Sequence, residues 1–598
     1  MYGHKHPTPV IHRMGECALL VWFDSGISVP VNRLVHRLAS AIRQASLRAT
    51  LDVVPAYSSV LVVFDPELLP ESELRARLEE LYTLCLRTPA QTQTQGFQQA
   101  PEGQEGRQGQ LHIIPTAYGG EAGPDLFELA QVLSLSPDEF IRLHSSRLYR
   151  VFFLGFLPGF AYMGLLHRAL ACARLSVPRV RVPPGSVGVA GRQTGIYPFA
   201  SPGGWRVVGR VSVRVWDPYS SRPTLFSPGD TVRFVPTEVP PSALFQPAEP
   251  APPADPPSWP ALEVLEPGAL TTVQDAGRPG LGHLGVSRGG AFDVSAALRA
   301  NALVGNPPNA AVLEITWSGP TLRVLRSTAI ALTGADLHCM AGHSAVPVGM
   351  SWFVRAGTVL RFATSTPPGA GMRAYLAVAG GVDVPVVLQS RSTYLPAGFG
   401  GYRGRPLQAG DVLGVCPATV PPAAVAGRLW PQVRSSTQQT RHVPSQNEVS
   451  LRFVPCEGPW AVSRRVVDDF MSRRWVVGVN SDRMGTRLSC PEGPPDYIST
   501  RRGELASFGV VSGAIQLPPG GSPLLLNVDH QTTGGYPLLG VVAMADRPLL
   551  AQLAPGQSVR FVEISVEQAR AAFAEARAEL RAGLLALGVS TGALPPGV

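Results

Sequence analysis

The side chains best suited to chemistry lie in glycine-rich loops. Residues 182–204, VPPGSVGVAGRQTGIYPFASPGG, set Arg192, Gln193 and Thr194 among glycines. Glycine at this density lets backbone approach a ligand closely, and successive N–H groups can form an anion nest. A forked cation, an amide and a hydroxyl then suit a carboxylate, an amide or a phosphate. The same residues would equally serve as tight turns between strands. A second stretch, TTVQDAGRPGLGHLGVSRGGAFD (271–293), carries Gln274, Asp275, Arg278, His283, Arg288 and Asp293, with Glu314 following in LEITWSGP. Its Asp and Arg side chains could lock the loop or hold substrate. Carboxylates beside a histidine suit a hard cation, but the spacing fixes no cage and no metal site is assigned. A third group joins SDRMGTRL (481–488), with Asp482, Arg483 and Arg487, to NVDHQTTGGYPLLG (527–540). Asp529 and His530 are adjacent and alternate along a strand, which argues against a direct Asp–His relay. Ser390-Arg391-Ser392-Thr393 precedes both segments, yet no G-x-S-x-G elbow accompanies a serine nucleophile. His144 ends a helical stretch and reads either as a capping or core-edge histidine or as a ligand contact.

Composition narrows the chemistry. Of the 51 Lys and Arg residues only Lys5 is a lysine, and it lies in the start MYGHKHP. A Walker P-loop, a kinase-type strand lysine, a pyridoxal Schiff base and a biotin-carrying lysine are therefore excluded from the folded part of this chain. The net charge of +8 is modest for 598 residues, and the arginine pairs at 464–465, 473–474 and 501–502 are scattered, so no nucleic-acid surface is expected. Seven dispersed cysteines without a CxxC argue against zinc and a disulfide framework, and favour a reducing, cytoplasmic setting. No apolar run is long enough to predict a membrane span, and the start lacks an apolar signal core.

The elements that must position these loops are mainly strands. Residues 14–110 read as a small α/β domain. ALLVWF (18–23) and SVLVVFD (59–65) are strands, Val31 to Leu47 has helical spacing, ESELRARLEELYTLCL is an amphipathic helix, and the Gln-rich 91–110 is a loop. Residues 111–236 read as a compact β domain entered by two short helices, with Ser136 or Pro137 opening the second. A Pro-rich linker (237–260) separates it from a second large unit, 261–432, followed by a β-rich stretch (449–565) and a C-terminal helix and tail (566–598). SPGDTVRFVP, RAGTVLRFA, QAGDVLGV and APGQSVRFVE repeat one turn-then-strand pattern, and GRQTGIYPFASPGGW resembles DHQTTGGYPLLG. This predicts a repeated small barrel or sandwich.

The motifs also carry a resemblance. FFLGFLPGFAYMGLL with VPPGSVGVAGRQTGIYPFASPGGW resembles the B subunit of bacterial ATP-dependent 5-oxoprolinase, a family also described as allophanate hydrolase subunit 1 or sporulation kinase inhibitor. TTVQDAGRPG, GVSRGGAFD, NALVGN, GMRAYLAVAGGVDVP, SRSTY, SDRMGTRL and DHQTTGGYP resemble the C subunit, its biotin-dependent carboxyltransferase-like partner. Residues 14–236 and 261–565 are covered, so the chain resembles a B–C fusion. The resemblance implies a mainly β protein with a small α/β N-terminal domain and tandem cyclophilin-like β-barrels. It implies opening of 5-oxo-L-proline to L-glutamate with ATP and Mg²⁺, together with a separate A subunit, and no covalent biotin in this chain. Phosphorylating the lactam oxygen would create a leaving group for water attack. On the family-like positions, Arg192 and Arg278 would steady carboxylate or phosphoryl oxygens, and Gln193 and Thr194 would orient the lactam. Asp293 joins this catalytic set, and either it or Asp482 would bind Mg²⁺-nucleotide, for which Arg391, Arg483, Gln531 and Thr532 are the other candidate contacts. Many relatives have a serine where this chain has Gly289, which puts a hydroxyl contact there in doubt. The resemblance extends to the carboxyltransferase of urea or amide carboxylases with biotin on separate subunits, and to histidine-kinase regulators. The expected partners are a protein like the 5-oxoprolinase A subunit and a small-molecule substrate, with no nucleic acid or membrane; homo-oligomerisation is left open.

Overall fold

The computed structural model describes residues 8–87, 109–238, 257–363, 371–431, 448–493, 505–590, 592, 594 and 595. Lys5, the Arg501-Arg502 pair, nearly all of the Gln-rich loop and most of the Pro-rich linker and of the polar stretch 433–448 lie outside these residues.

At the N-terminus four antiparallel strands lie in the order Val10–Arg13, Ala18–Trp22, Ser59–Phe64, Thr50–Pro55, with helices Val29–Gln44 and Glu71–Arg87 on one face. The first helix presents Val31, Leu34, Val35, Leu38 and Ile42 to the sheet, the spacing read from the sequence. The strands are apolar on both faces because both are covered. Leu19, Val21, Val60 and Val62 meet the helices, while Ala18, Leu20, Leu61 and Val54 meet Trp460, Phe508, Leu538 and Val541 near the far end of the chain. The C-terminal helix Val566–Ala586 returns to the same domain. Its Arg577 pairs with the buried Asp65 at 2.7 Å, and Arg570 joins Arg13 and Arg75 on Glu71. The N-terminal sheet domain and helix Val566–Ala586 are thus packed together.

Two closed seven-stranded barrels follow one plan. In the first, the initial strand Leu111–Tyr118 runs parallel to the closing strand Thr231–Pro236, which is antiparallel to Tyr149–Leu154. In the second, Glu448–Pro455 runs parallel to Ser558–Glu563, which is antiparallel to Trp475–Val477. Each closing strand follows a glycine in the left-handed region, Gly229 (φ +99°) and Gly556 (φ +83°), as the repeated turn-strand pattern predicts. Helices Leu126–Val132 and Pro137–Ser145 pack Leu126, Leu129 and Phe140 into the core of the first barrel, and Ser136 caps the second helix by accepting from Glu139 N.

The middle unit departs from the tandem-barrel expectation. Its strands form a seven-stranded and a five-stranded sheet, with Leu262, Val264, Leu322 and Val324 of one packed against Val273, Leu313, Ile315 and Leu332 of the other. Pro260–Glu266 and Val412–Val415 are antiparallel neighbours inside the larger sheet, unlike the parallel first and last strands of each barrel. The outer strands of that sheet, Ser344–Ala345 and Val382–Asp383, are short and do not pair with each other, so it stays open and stacks on the smaller sheet.

Candidate functional site

Two of the glycine-rich stretches singled out in the sequence, 271–293 and 527–540, come together with the Gly155–Gly159 turn where the first barrel, the middle sandwich and the second barrel meet. After strand Tyr149–Leu154 the chain turns through Gly155 and Phe156, and Phe156 N donates to Thr533 Oγ1 at 3.0 Å. A Cβ on Gly155 would stand 2.4 Å from that oxygen, so glycine is required by close approach. Gly159 N donates to Leu284 O at 3.0 Å, which ties the same turn to the 271–293 loop. That loop is folded on itself by Arg278 N to Arg288 O and Ala291 N to Asp275 O, both 2.8 Å.

Two carboxylate anchors fix the geometry. Asp275 accepts from Gly277 N (2.8 Å), Ser390 Oγ (2.6 Å), Arg391 N (2.7 Å) and Ser392 Oγ, and so joins the 271–293 loop to the 390–393 segment. Arg483, from the second barrel, donates Nε and Nη2 to Asp529 at 2.8 and 3.1 Å, Nη1 to Glu314 of the sandwich, and Nη2 to Gly290 O at 2.6 Å. Glu314 also accepts from Phe292 N at 2.7 Å. All three side chains of this trio are buried. Burial pushes the Asp529 carboxyl up, with Arg483 opposing it, and the two carboxylates hold the Arg483 guanidinium above its ordinary value against its own burial.

Arg278 stands beside this trio without comparable partners. It is 0% exposed. Its Nη2 donates to Ser392 O at 2.6 Å and its guanidinium lies 5.0 Å from the Phe399 ring centre, while Nε and Nη1 have no hydrogen-bond partner. Burial lowers its pKa, with Asp275 and Asp529 opposing, and a guanidinium stays charged at neutral pH. Next to it Gly289 adopts φ +61°. A Cβ there would stand 3.3 Å from both Arg278 Nη1 and Asp529 Oδ1, a tight contact in a left-handed turn that suits glycine. The turn over Arg278 is covered from the first half of the chain: the Trp216 ring lies 5.8 Å from Phe399, and Tyr219 is within hydrogen-bond reach of the Gly400 backbone.

The sequence-predicted residues therefore divide. Arg278, Arg483, Arg391 and Thr532 belong to the junction segments; the Thr532 hydroxyl is buried without a partner, and Arg391 donates Nε to Val384 O at 3.1 Å. Gln531 bonds to Gln516 at 3.1 Å. Four of the five Arg483 N–H donors are taken, three by Asp529 and Glu314 and one by Gly290 O, so its charge is already balanced by two carboxylates. Asp293 is the N-cap of helix Val294–Leu303, accepting from Ala296 N at 2.9 Å and Ser295 Oγ at 2.6 Å. Asp482, exposed, holds a local turn through Met484 N and Gly485 N. Arg192, Gln193 and Thr194 sit in the first barrel and share no partner with Arg278. Arg192 reaches Leu166 O at 3.3 Å, Gln193 accepts from Tyr57 Oη at 2.8 Å, and Thr194 donates to Gly188 O at 3.1 Å. His144 is a core residue bonded to Tyr118 and Thr194. Among the described residues no three His, Cys, Asp or Glu side chains converge on a metal position. Asp293 and Asp482, the alternative contacts expected for Mg²⁺-nucleotide, each hold a local backbone turn, and among the described residues neither joins a cluster that could ligate Mg²⁺.

The sequence singles out Glu314 and Asp529 without giving them this role, and does not single out Phe399 or Trp216. Glu314 had a signal: it is the one charge within VLEIT, a strand buried along its whole length.

Two family descriptions match the chain: "Carboxyltransferase domain, subdomain C and D" over residues 9–226, and "Carboxyltransferase domain, subdomain A and B" over 284–563. Among curated proteins, the 5-oxoprolinase C subunit of Escherichia coli is 38% identical over 311 residues, covering 52% of this chain and 93% of that protein. The 5-oxoprolinase B subunit of Bacillus subtilis is 35% identical over 225 residues, covering 38% of this chain and 91% of that protein. Among solved structures, that of TTHA0988 superposes with a TM-score of 0.75 at 36% identity, covering 91% of this chain and 99% of that one.

Proposed function

The chain belongs to the carboxyltransferase-domain family that contains the B and C subunits of 5-oxoprolinase, and on that premise we propose that it is the joined B–C component of an ATP-dependent 5-oxoprolinase. In this reading it binds 5-oxo-L-proline for hydrolysis to L-glutamate together with a separate protein like the A subunit. The observation that carries the reading is that one chain spans nearly all of a B subunit and nearly all of a C subunit, and their glycine motifs close on one buried, half-satisfied arginine. A lactam is a weak electrophile, and activation by ATP is the proposed source of driving force in the assembled enzyme.

This chain's own contribution is binding and orientation. Arg278 offers Nε–H and Nη1–H in a water-poor site, where a hydrogen bond to an oxygen carrying negative charge is worth more than in solvent. Asp275 and the Arg483 trio hold the loops on either side, so the donors are positioned before the ligand arrives. The test is ATP-dependent glutamate release from 5-oxo-L-proline by the full chain mixed with an authentic A subunit. Release is expected only when both proteins are present, and absence of release from the mixture contradicts the proposal.

A further inference from the structure

We propose that the separate A-like subunit docks on the outer face of the first barrel, with one of its carboxylates meeting Arg233. The inference rests on the reading of this chain as a B–C component, and it names the surface and the chemistry of the contact. The two barrels supply the comparison. In the first, Thr231 lies opposite Leu111 and Arg233 opposite Ile113; in the second, Ser558 lies opposite Glu448 and Arg560 opposite Ser450. Side chains alternate across a strand, so in each barrel these residues share the outward face. The second barrel finishes that face with polar pairs. Arg560 is ion-paired with Glu448, Arg452 with Asp546, and Arg474 donates Nε to Ser558 Oγ at 2.9 Å. The first barrel has Leu111, Ile113, Pro115 and Leu148 at the matching positions. Leu111 is 52% exposed, Ile113 61% and Leu148 60%, while His112 turns inward to Asp230 at 2.9 Å. Water thus meets aliphatic side chains where the other barrel presents ions, which marks an interaction surface.

Charge identifies the kind of partner. Arg233 is exposed and forms no ion pair among the described residues, because Leu111 stands where Glu448 serves its counterpart Arg560. The outward positions of these strands carry no carboxylate, and Arg150 adds a second cation. A second copy docked by two-fold symmetry would set this basic, apolar face against itself. A partner with an apolar patch and a carboxylate at its centre completes it. The place also suits the proposed enzyme: strand Tyr149–Leu154 leads from this face into the Gly155 turn of the junction.

The experiment titrates an authentic A subunit into a fixed amount of the full chain and follows ATP-dependent glutamate release, which gives the A-subunit concentration for half-maximal rate. Ile113→Asp and Arg233→Glu should each raise that concentration at least about tenfold. The rate at saturating A subunit should stay within about twofold of wild type, because the Arg278 junction is untouched. Ser450→Asp, the substitution matching Ile113→Asp in the second barrel, should change neither quantity. Circular dichroism checks each fold, and Arg233→Glu, at an exposed position, decides the question even if Ile113→Asp does not fold. A wild-type midpoint for the folded first-barrel variants overturns the inference alone. So does a dimer of the chain that Ile113→Asp dissociates, since a second copy would then cover this face. If wild type with the A subunit releases no glutamate, the functional reading falls and the inference with it.

Discussion

The two closed barrels share a strand plan and differ in how they treat buried polar groups. Inside the first, the Tyr118 hydroxyl donates to His144 Nδ1 (2.7 Å), His144 Nε2 meets Thr194 Oγ1 (3.2 Å), and Thr194 donates to Gly188 O (3.1 Å). This relay of neutral groups sets the Nε2–H tautomer, and each member is paired. Burial pushes the His144 pKa down to about 3. At the rim of the second barrel the buried groups are ions: Arg483, Asp529 and Glu314, with Arg278 beside them and two of its nitrogens unpaired. One topology therefore holds a chain of mutually paired neutral groups inside one barrel and sets ions against the neighbouring sandwich at the rim of the other. The charged junction is the better candidate for chemistry, because two nitrogens of one buried cation there lack partners.

The largest expected effect breaks the charged junction. Arg483→Met leaves Glu314 and Asp529 buried without their cation and should cost about 3–5 kcal/mol in denaturant unfolding. The matching change in the first barrel is smaller. Thr194→Val removes a single neutral partner of His144 and should cost about 1–3 kcal/mol. A loss for Thr194→Val equal to that for Arg483→Met would erase the distinction between the two regions.

The pH dependence sharpens the comparison because its sign reverses. The His144 pKa is depressed in the fold, so its contribution to stability is present above the ordinary value of 6.5 and lost as pH falls toward about 3. Asp52, which holds the junction loop by accepting from Gly282 N at 3.1 and 3.2 Å, is pushed up to about 6 by burial, against the opposing N–H bonds of Val53 and Gly282 and the nearby Arg43 and Arg288. Its contribution is present below the ordinary 3.8 and lost as pH rises through about 6. Melting temperatures of wild type, His144→Gln and Asp52→Asn from pH 4 to pH 8 should show this. His144→Gln should compare worst with wild type above pH 6.5, and Asp52→Asn should compare best above pH 6. Parallel curves for all three proteins would contradict both assignments.

The smallest stability effect should come from Arg278 itself. Arg278→Met gives up one hydrogen bond and the stacking on Phe399 but also removes an unpaired buried cation, so unfolding should change by no more than about 1 kcal/mol in either direction. A loss as large as that of Arg483→Met would make Arg278 a structural residue.

Much of this was legible in the sequence, for physical reasons that also explain the remainder. The helix Val29–Gln44 and the strands Ala18–Trp22 and Ser59–Phe64 follow from local periodicity, and the barrel-closing strands from a glycine two residues ahead of each. The sandwich was not legible, because a glycine turn and a short strand read the same whether the strand closes a barrel or pairs antiparallel, as Val412–Val415 does. Glycine density did mark the junction loops, since close backbone approach at Gly155 and Gly290 demands it. Which polar side chains were spent on structure could not be read. Arg483 and Arg278 look alike in sequence, and only the carboxylates brought from distant positions, Glu314 and Asp529, separate a charge-balanced guanidinium from one with two unpartnered nitrogens.

The most direct test of the central claim, that the site lies at the junction around Arg278, is a crystal structure of the full chain with 5-oxo-L-proline. The account predicts ligand density at the junction with an oxygen within hydrogen-bond distance of Arg278 Nε or Nη1. Ligand bound instead at the Arg192–Thr194 hairpin of the first barrel, with Arg278 unchanged, would contradict it.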